Sequence, residues 1–372
     1  MNRGIYIHIP FCVRKCAYCD FYSLGGVSEE IKSVYTDALI KHMEMSQDKA
    51  LFCDSLYLGG GTPSLMDVRD IERIIGAARH NFTLSEDCEI TLEANPGTVD
   101  KQKFSDLLSA GVNRISLGVQ SLNDRELLKL GRLHDAYCAR EAIESAFWAG
   151  FENVSCDVMF GIPYQTYKSL VATLSELCTY QITHVSAYGL KLEASTPLAL
   201  EMDLALPDED KEREMYFDIV SRLGKCGFNQ YEISNFARGG KVSRHNIKYW
   251  RGDEYISFGP AAAGYLHGER YTYTRDIKSY ITAVQNKKNI PEAERYAVSD
   301  SEKREEKIIF GLRMTDGIRL SDCGIISADI KKSPVLSRLL MEEYMSLDGE
   351  ILCLTPKGFY ISNSIINELL EL

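Results

Sequence analysis

The sequence predicts an α/β protein: six or so strand–helix units able to curl into a full or partial TIM-like barrel, followed by a smaller C-terminal α+β domain of winged-helix type. Strand-like and helix-like segments alternate through residues 1–228. The strand-like segments are nearly continuous apolar runs, as parallel strands covered by helices require. The tail changes pattern, with helical stretches followed by an Asp348-Gly349 hairpin signal. A chain of 372 residues, 45% apolar, is long enough for a barrel-sized core plus a small domain.

The strand candidates are Gly4–Ile9, Ser55–Leu58, Cys88–Glu93, Arg114–Val119, Val154–Phe160 and His184–Leu190, each bounded by Gly, Pro or Asn. Between them, Ile31, Tyr35, Leu39, His42 and Met43 recur at helical spacing. Val68–Arg79, Lys101–Ala110, Arg125–Leu130, Tyr137–Ala149, Tyr167–Thr179 and Asp208–Cys226 read the same way. Residues 229–290 form a second segment, whose stretch from Gln230 to Tyr273 reads as irregular with short strands, before a helix at Asp276–Gln285. Residues 291–372 form the small domain, with helices at Ser301–Leu312, Val335–Leu347 and Ile365–Leu370 around the hairpin.

Composition narrows the function. Lys and Arg total 42 against 53 Asp and Glu, a net charge of −11 with no basic stripe, so nucleic acid is not an expected partner. The first ten residues are too short and polar for a signal peptide, and no apolar run reaches bilayer length. Peripheral membrane association stays open. The 11 scattered cysteines do not read as a disulfide framework. The expected location is the reducing cytoplasm.

Cys12, Cys16 and Cys19 follow the first strand in a C-x3-C-x2-C arrangement, at the carboxyl end where barrel sites are built. A loop this tight can direct three thiolates to one iron–sulfur cluster. Asp20 and Phe21 stand where a fourth ligand would follow, so one iron is left open to a substrate. Two other readings remain: a zinc site with His8 or a remote fourth donor, and a redox pair at Cys16 and Cys19.

Further along, Gly59-Gly60-Gly61-Thr62-Pro63 ends the second strand, and such glycines let backbone amides approach a charged ligand. Taken alone this is a tight turn before a helix. Glu93, Gln120 and Asp157 each end an apolar strand, and three such polar ends on successive strands point to a shared ligand. Arg132 suits a carboxylate, or else is a solvated helix-end arginine.

C-x3-C-x2-C after the first strand, with Tyr18 before the last cysteine, resembles the radical S-adenosylmethionine signature. The resemblance implies the radical SAM partial barrel and a [4Fe–4S] cluster on Cys12, Cys16 and Cys19. It also implies S-adenosylmethionine chelated to the open iron and cleaved to a deoxyadenosyl radical. Gly60, Gly61, Thr62, Glu93, Gln120, Arg132 and Asp157, with Tyr6 and Tyr18, are the implied nucleotide-site residues.

Five segments extend the likeness over nearly the whole chain: Ile7–Cys12, Tyr57–Ser64, Ser116–Ser121, Asp157–Pro163 and Gln230–Ala237. They resemble the oxygen-independent coproporphyrinogen III oxidase group. One branch of that group decarboxylates coproporphyrinogen III; the other is a heme chaperone that passes heme to acceptor hemoproteins such as respiratory-chain components. The decarboxylase branch has a further cysteine where this chain has Phe21, and an extension before the first strand, which here is entered at Gly4. His245-Asn246-Ile247-Lys248-Tyr249-Trp250 matches an H-N-x-x-Y-W motif of the chaperone branch. The resemblance therefore implies a heme chaperone, with the decarboxylase as the alternative. A neutral imidazole beside flat aromatic rings suits heme iron, so His245 is the expected heme ligand and His267 the second candidate. The competing reading makes His245 a buried junction residue held by hydrogen bonds.

Overall fold

A computed structural model describes residues 2–202, 204–325 and 333–371. Six strands run parallel in chain order: β1 (Arg3–Ile9), β2 (Phe52–Gly60), β3 (Thr83–Ala94), β4 (Arg114–Gln120), β5 (Val154–Phe160) and β6 (His184–Gly189). Helices α1 (Glu29–Met45), α2 (Val68–Asn81), α3 (Lys101–Ser109), α4 (Asp124–Lys129), α5 (Ala136–Trp148), α6 (Tyr167–Leu177) and α7 (Glu209–Lys225) occupy the connections. Asp or Asn side chains cap the first turns of α2, α3, α4, α5 and α7, accepting from backbone amides that have no partner inside the helix.

The strands alternate by face. Ile5, Ile7 and Ile9, Leu56 and Leu58, Ile115, Leu117 and Val119, and Val154, Cys156 and Val158 are fully buried in the main apolar cluster. The residues between them are polar: Tyr6 and His8, Tyr57, Arg114 and Ser116, Ser155 and Asp157, His184 and Ser186. Period two thus gives each strand one face for the helices and one for a polar interior.

The sheet extends beyond the six strands to twelve. The segment expected to be irregular is largely regular. β7 (Asn229–Gln230) and β8 (Asn235–Ala237) add antiparallel strands beyond β6. The helix α8 (Arg244–Arg251) carries the whole H-N-x-x-Y-W motif. Ser243 caps it through the Asn246 amide, and Gly252 ends it at φ 66°, which glycine adopts without the Cβ clash. β9 (Tyr255–Phe258) then lies parallel against β1, followed by β10 (Ala263–Leu266), β11 (Glu269–Tyr273) and β12 (Glu292–Ala297) as antiparallel neighbours. Polar residues among the apolar ones, such as Ser257 between Ile256 and Phe258, blur the apolar runs of these strands.

In the small domain, the strands Ile318–Arg319, Met345–Asp348 and Ile351–Leu354 pair antiparallel, with Gly349 at φ 59° in the hairpin turn. The helix expected over Val335–Leu347 ends at Met341, and Glu343 turns left-handed at φ 59° before the strand begins. Cys178 and Cys226 are joined as a disulfide at the carboxyl ends of α6 and α7, their Cα atoms 6.0 Å apart. The sequence reading expected no such bond, since 48 residues separate the pair and only the fold brings the helix ends together.

Phe258 on β9 is fully buried and packs its ring against His42 of α1 at 4.8 Å and against Phe82 at 5.7 Å. Phe258→Ala should therefore destabilise the whole barrel by about 3–5 kcal/mol in urea unfolding, with one transition. A separate low-stability transition for the segment after β8 would contradict its place in the common sheet.

Candidate functional site

The polar interior encloses a cavity of about 1090 Å³. Its wall includes Cys12, Cys16 and Cys19 at one end, with Tyr18 beside them. Gly60, Gly61 and Thr62, Glu93 and Gln120 line it from the ends of successive strands, Asp157 from the middle of β5 and Arg132 from the turn after α4, and Tyr6 stands on the β1 side. One concavity thus collects every nucleotide-site residue expected from the sequence.

The cysteine loop is tied to the barrel through side chains. Thr62 Oγ1 lies 3.5 Å from Cys12 Sγ and accepts from Asn95 Nδ2 at 2.9 Å. Asn95 Oδ1 accepts from Arg132 Nη2, which also donates to the Gly118 carbonyl at 2.7 Å. Arg132 Nη1 then donates to Cys16 Sγ at 3.4 Å. The chain Cys12–Thr62–Asn95–Arg132–Cys16 spans the loops after β1, β2 and β3 and the turn after α4. Asn95 was missed from the sequence, where it reads as a residue before proline. Arg132 is not a solvated helix end; it is 9% exposed, and its Nε has no partner among the described residues.

The glycine loop works differently from the expected amide cradle. The Gly60 amide donates to Glu93 Oε2 at 3.0 Å, the Gly61 amide to the Ile9 carbonyl at 2.8 Å, and the Thr62 amide to the Phe11 carbonyl at 2.7 Å. No amide in this trio is left to hold an anion. Gly61 instead allows close packing, since a Cβ there would stand 2.7 Å from the Phe11 carbonyl oxygen.

Glu93 also accepts from the Tyr57 hydroxyl at 2.8 Å. Burial pushes its carboxyl up to about 7, with the Asp157 charge adding to the rise, against the Tyr57 and Gly60 hydrogen bonds. Burial raises Asp157 as well, opposed by hydrogen bonds from Ser186 and Ser116. A cationic ligand group between these carboxylates would restore their ionised form. Gln120 ends β4 at φ 64°, a conformation side chains adopt at a cost of order 1–3 kcal/mol and one that is concentrated at ligand sites.

His245 is placed elsewhere. It is 1% exposed and does not line the cavity. Nδ1 is bonded to Ser55 Oγ at 3.0 Å and Nε2 to the Tyr249 hydroxyl at 2.9 Å. Its ring stacks on Tyr57 at 5.2 Å, and Gly4 is glycine because a Cβ would meet the imidazole at 2.9 Å. With both nitrogens engaged, no lone pair is free for iron. The expected role as heme ligand is corrected: His245 holds α8 against β1 and β2. His267 is exposed in the turn between β10 and β11.

The donor set fits an iron–sulfur cluster. Three thiols, those of Cys12, Cys16 and Cys19, line one end of the cavity, as ligands to three irons of one cluster would.

Residues 6–177 match the Radical SAM superfamily, and residues 298–361 match the HemN C-terminal domain. The chain is 33% identical to the heme chaperone HemW of Lactococcus lactis, over 99% of this chain and 97% of that protein. It is 34% identical to the Bacillus subtilis heme chaperone HemW, over 99% of both. This chain belongs to the HemW family of radical SAM proteins. The family implies a [4Fe–4S] cluster and S-adenosylmethionine, in keeping with the cavity. A zebrafish mitochondrial relative, radical S-adenosyl methionine domain-containing protein 1, is 33% identical over 100% of this chain and 87% of its own length. The solved structure of Escherichia coli coproporphyrinogen III oxidase (HemN) shares the HemW-family fold seen here. Its TM-score is 0.85 at 20% identity, covering 98% of this chain and 89% of that one. Among the described residues, no helix is long and apolar enough to cross a membrane.

Asn95→Ala should leave the fold intact but cut the bridge between Cys12 and Cys16. Iron retained against a chelator should then weaken about 10- to 100-fold, as for other residues that orient metal ligands; unchanged retention would contradict the role of the bridge. Stability should also report His245. Burial, ahead of the Lys248 and Arg114 charges, pushes its imidazole down to about 3, whereas an unfolded histidine titrates near 6.5. The unfolded chain therefore binds the extra proton first, and stability falls as pH drops below about 6.5. Urea unfolding of His245→Gln should show a shallower loss of stability between pH 7 and pH 5 than the native chain; parallel slopes would contradict the buried neutral ring.

Proposed function

We propose that this protein is a heme chaperone: it binds heme and hands it to acceptor hemoproteins, among them respiratory-chain components. The observation that carries the reading is the likeness, over 99% of the chain, to relatives named heme chaperone. Phe21 supports it, since its side chain stands exposed next to the cysteine loop where the decarboxylase branch has a further cysteine.

In this reading Cys12, Cys16 and Cys19 hold the cluster, which with S-adenosylmethionine supplies one-electron chemistry when bound. Thr62, Asn95 and Arg132 fix the orientation of two of those thiols. Glu93 and Asp157 face the ligand as the acceptors for its amino and hydroxyl groups. Tyr18 lines the cavity wall with Arg132 and the three cysteines. Cytoplasmic residence and reversible contact with a membrane surface belong to the same proposal.

The test uses anaerobically reconstituted full-length protein. Heme titration should give one saturable complex per chain with a defined Soret band. Coproporphyrinogen III, incubated with S-adenosylmethionine and a reductant, should be recovered unchanged. Appearance of the decarboxylated product would overturn the chaperone reading in favour of the oxidase.

A further inference from the structure

β4 sends Arg114, Ser116, Gly118 and Gln120 to the cavity wall, and the nucleotide site uses the upper end of this row. Arg114 begins the strand, six residues from Gln120, or roughly 20 Å along an extended chain. It is 1% exposed and yet faces the cavity. Its Nε and Nη1 have no hydrogen-bond partner among the described residues. A buried guanidinium is costly unless something pairs with it.

Glu93 and Asp157 feel the Arg114 charge, yet neither forms an ion pair with it among the described residues. Glu93 accepts from Tyr57 and Gly60, and Asp157 accepts from Ser116 at 3.2 Å. What closes this end of the cavity is α8, which contributes Asn246 and Tyr249 to the wall. The H-N-x-x-Y-W helix thus brings an amide and a phenol to the same cavity as an unpaired cation. Nothing in the cysteine bridge or the nucleotide site makes use of them.

We propose that Arg114, Asn246 and Tyr249 form an anion subsite at the closed end of the cavity that takes a carboxylate. A guanidinium meets a carboxylate through parallel N–H groups and the Asn246 amide adds a neutral donor; the Tyr249 hydroxyl, bonded to His245 Nε2, adds its own when that nitrogen carries the hydrogen. The carboxylate comes either from a propionate arm of heme reaching down the cavity or from a free small carboxylate. The heme source rests on the function proposed above; the free source does not.

The test titrates the full-length protein with heme, with heme dimethyl ester and with succinate. Native protein, Arg114→Gln and Arg114→Lys are compared. If the propionate is the ligand, heme binds the native chain more tightly than its ester does, and Arg114→Gln loses about 10- to 100-fold in heme affinity, with Lys recovering part of it. If a free carboxylate is the ligand, succinate raises the thermal midpoint of the native chain and not of Arg114→Gln. Succinate competition against heme on the native chain checks the site without any variant. Equal binding of heme and ester, with no response to succinate, overturns the subsite and leaves heme binding standing. A chain that responds to succinate through Arg114 but takes no heme keeps the subsite and overturns the chaperone reading.

Discussion

The structure depends on keeping a polar interior inside a sheet whose other face is an ordinary apolar core. Burying hydroxyls, carboxylates and guanidinium groups costs several kcal/mol each unless they find partners. The strand ends around the cysteine loop meet this demand by bonding to one another. Tyr57 and Gly60 hold Glu93, Ser116 holds Asp157, and Thr62, Asn95 and Arg132 link two of the cysteines. A cavity built this way is stiff where it is satisfied and ready for a ligand where it is not.

The same constraint explains the conformational oddities of the site. Gly61 packs its Cα where any side chain would strike the Phe11 backbone, and Gln120 adopts φ 64° to end β4 facing inward. Both are local costs that the surrounding sheet can hold, because β1 to β4 are clamped by parallel ladders on each side. Beside β1, β9 extends the sheet and α8 adds to the wall of the same cavity, with His245 bonded to Ser55 and Tyr249.

Much of this was legible from residues alone. The six parallel strands and most of the helices followed from apolar runs and helical spacing, and the cysteine spacing with the strand-end residues pointed to one shared ligand site. What stayed hidden has a common cause. Asn95, Arg114 and the strands β9 to β11 carry their meaning in alternation with polar partners, and a partner across the sheet is not visible in a linear pattern. His245 shows the reverse error. A histidine beside Tyr and Trp suggests a ligand, but whether its nitrogens are free depends on Ser55, 190 residues away. The H-N-x-x-Y-W motif therefore marks a helix that closes the barrel, and its cavity-facing members are Asn246 and Tyr249.

The central claim is that the cysteine loop, held by this interior, carries one cluster with an iron left open toward the nucleotide residues. Electron paramagnetic resonance of the reduced, anaerobically reconstituted protein tests it most directly. The account predicts a single [4Fe–4S] signal that changes shape when S-adenosylmethionine is added. A signal indifferent to S-adenosylmethionine, or a colourless protein holding zinc on the three cysteines, would contradict it.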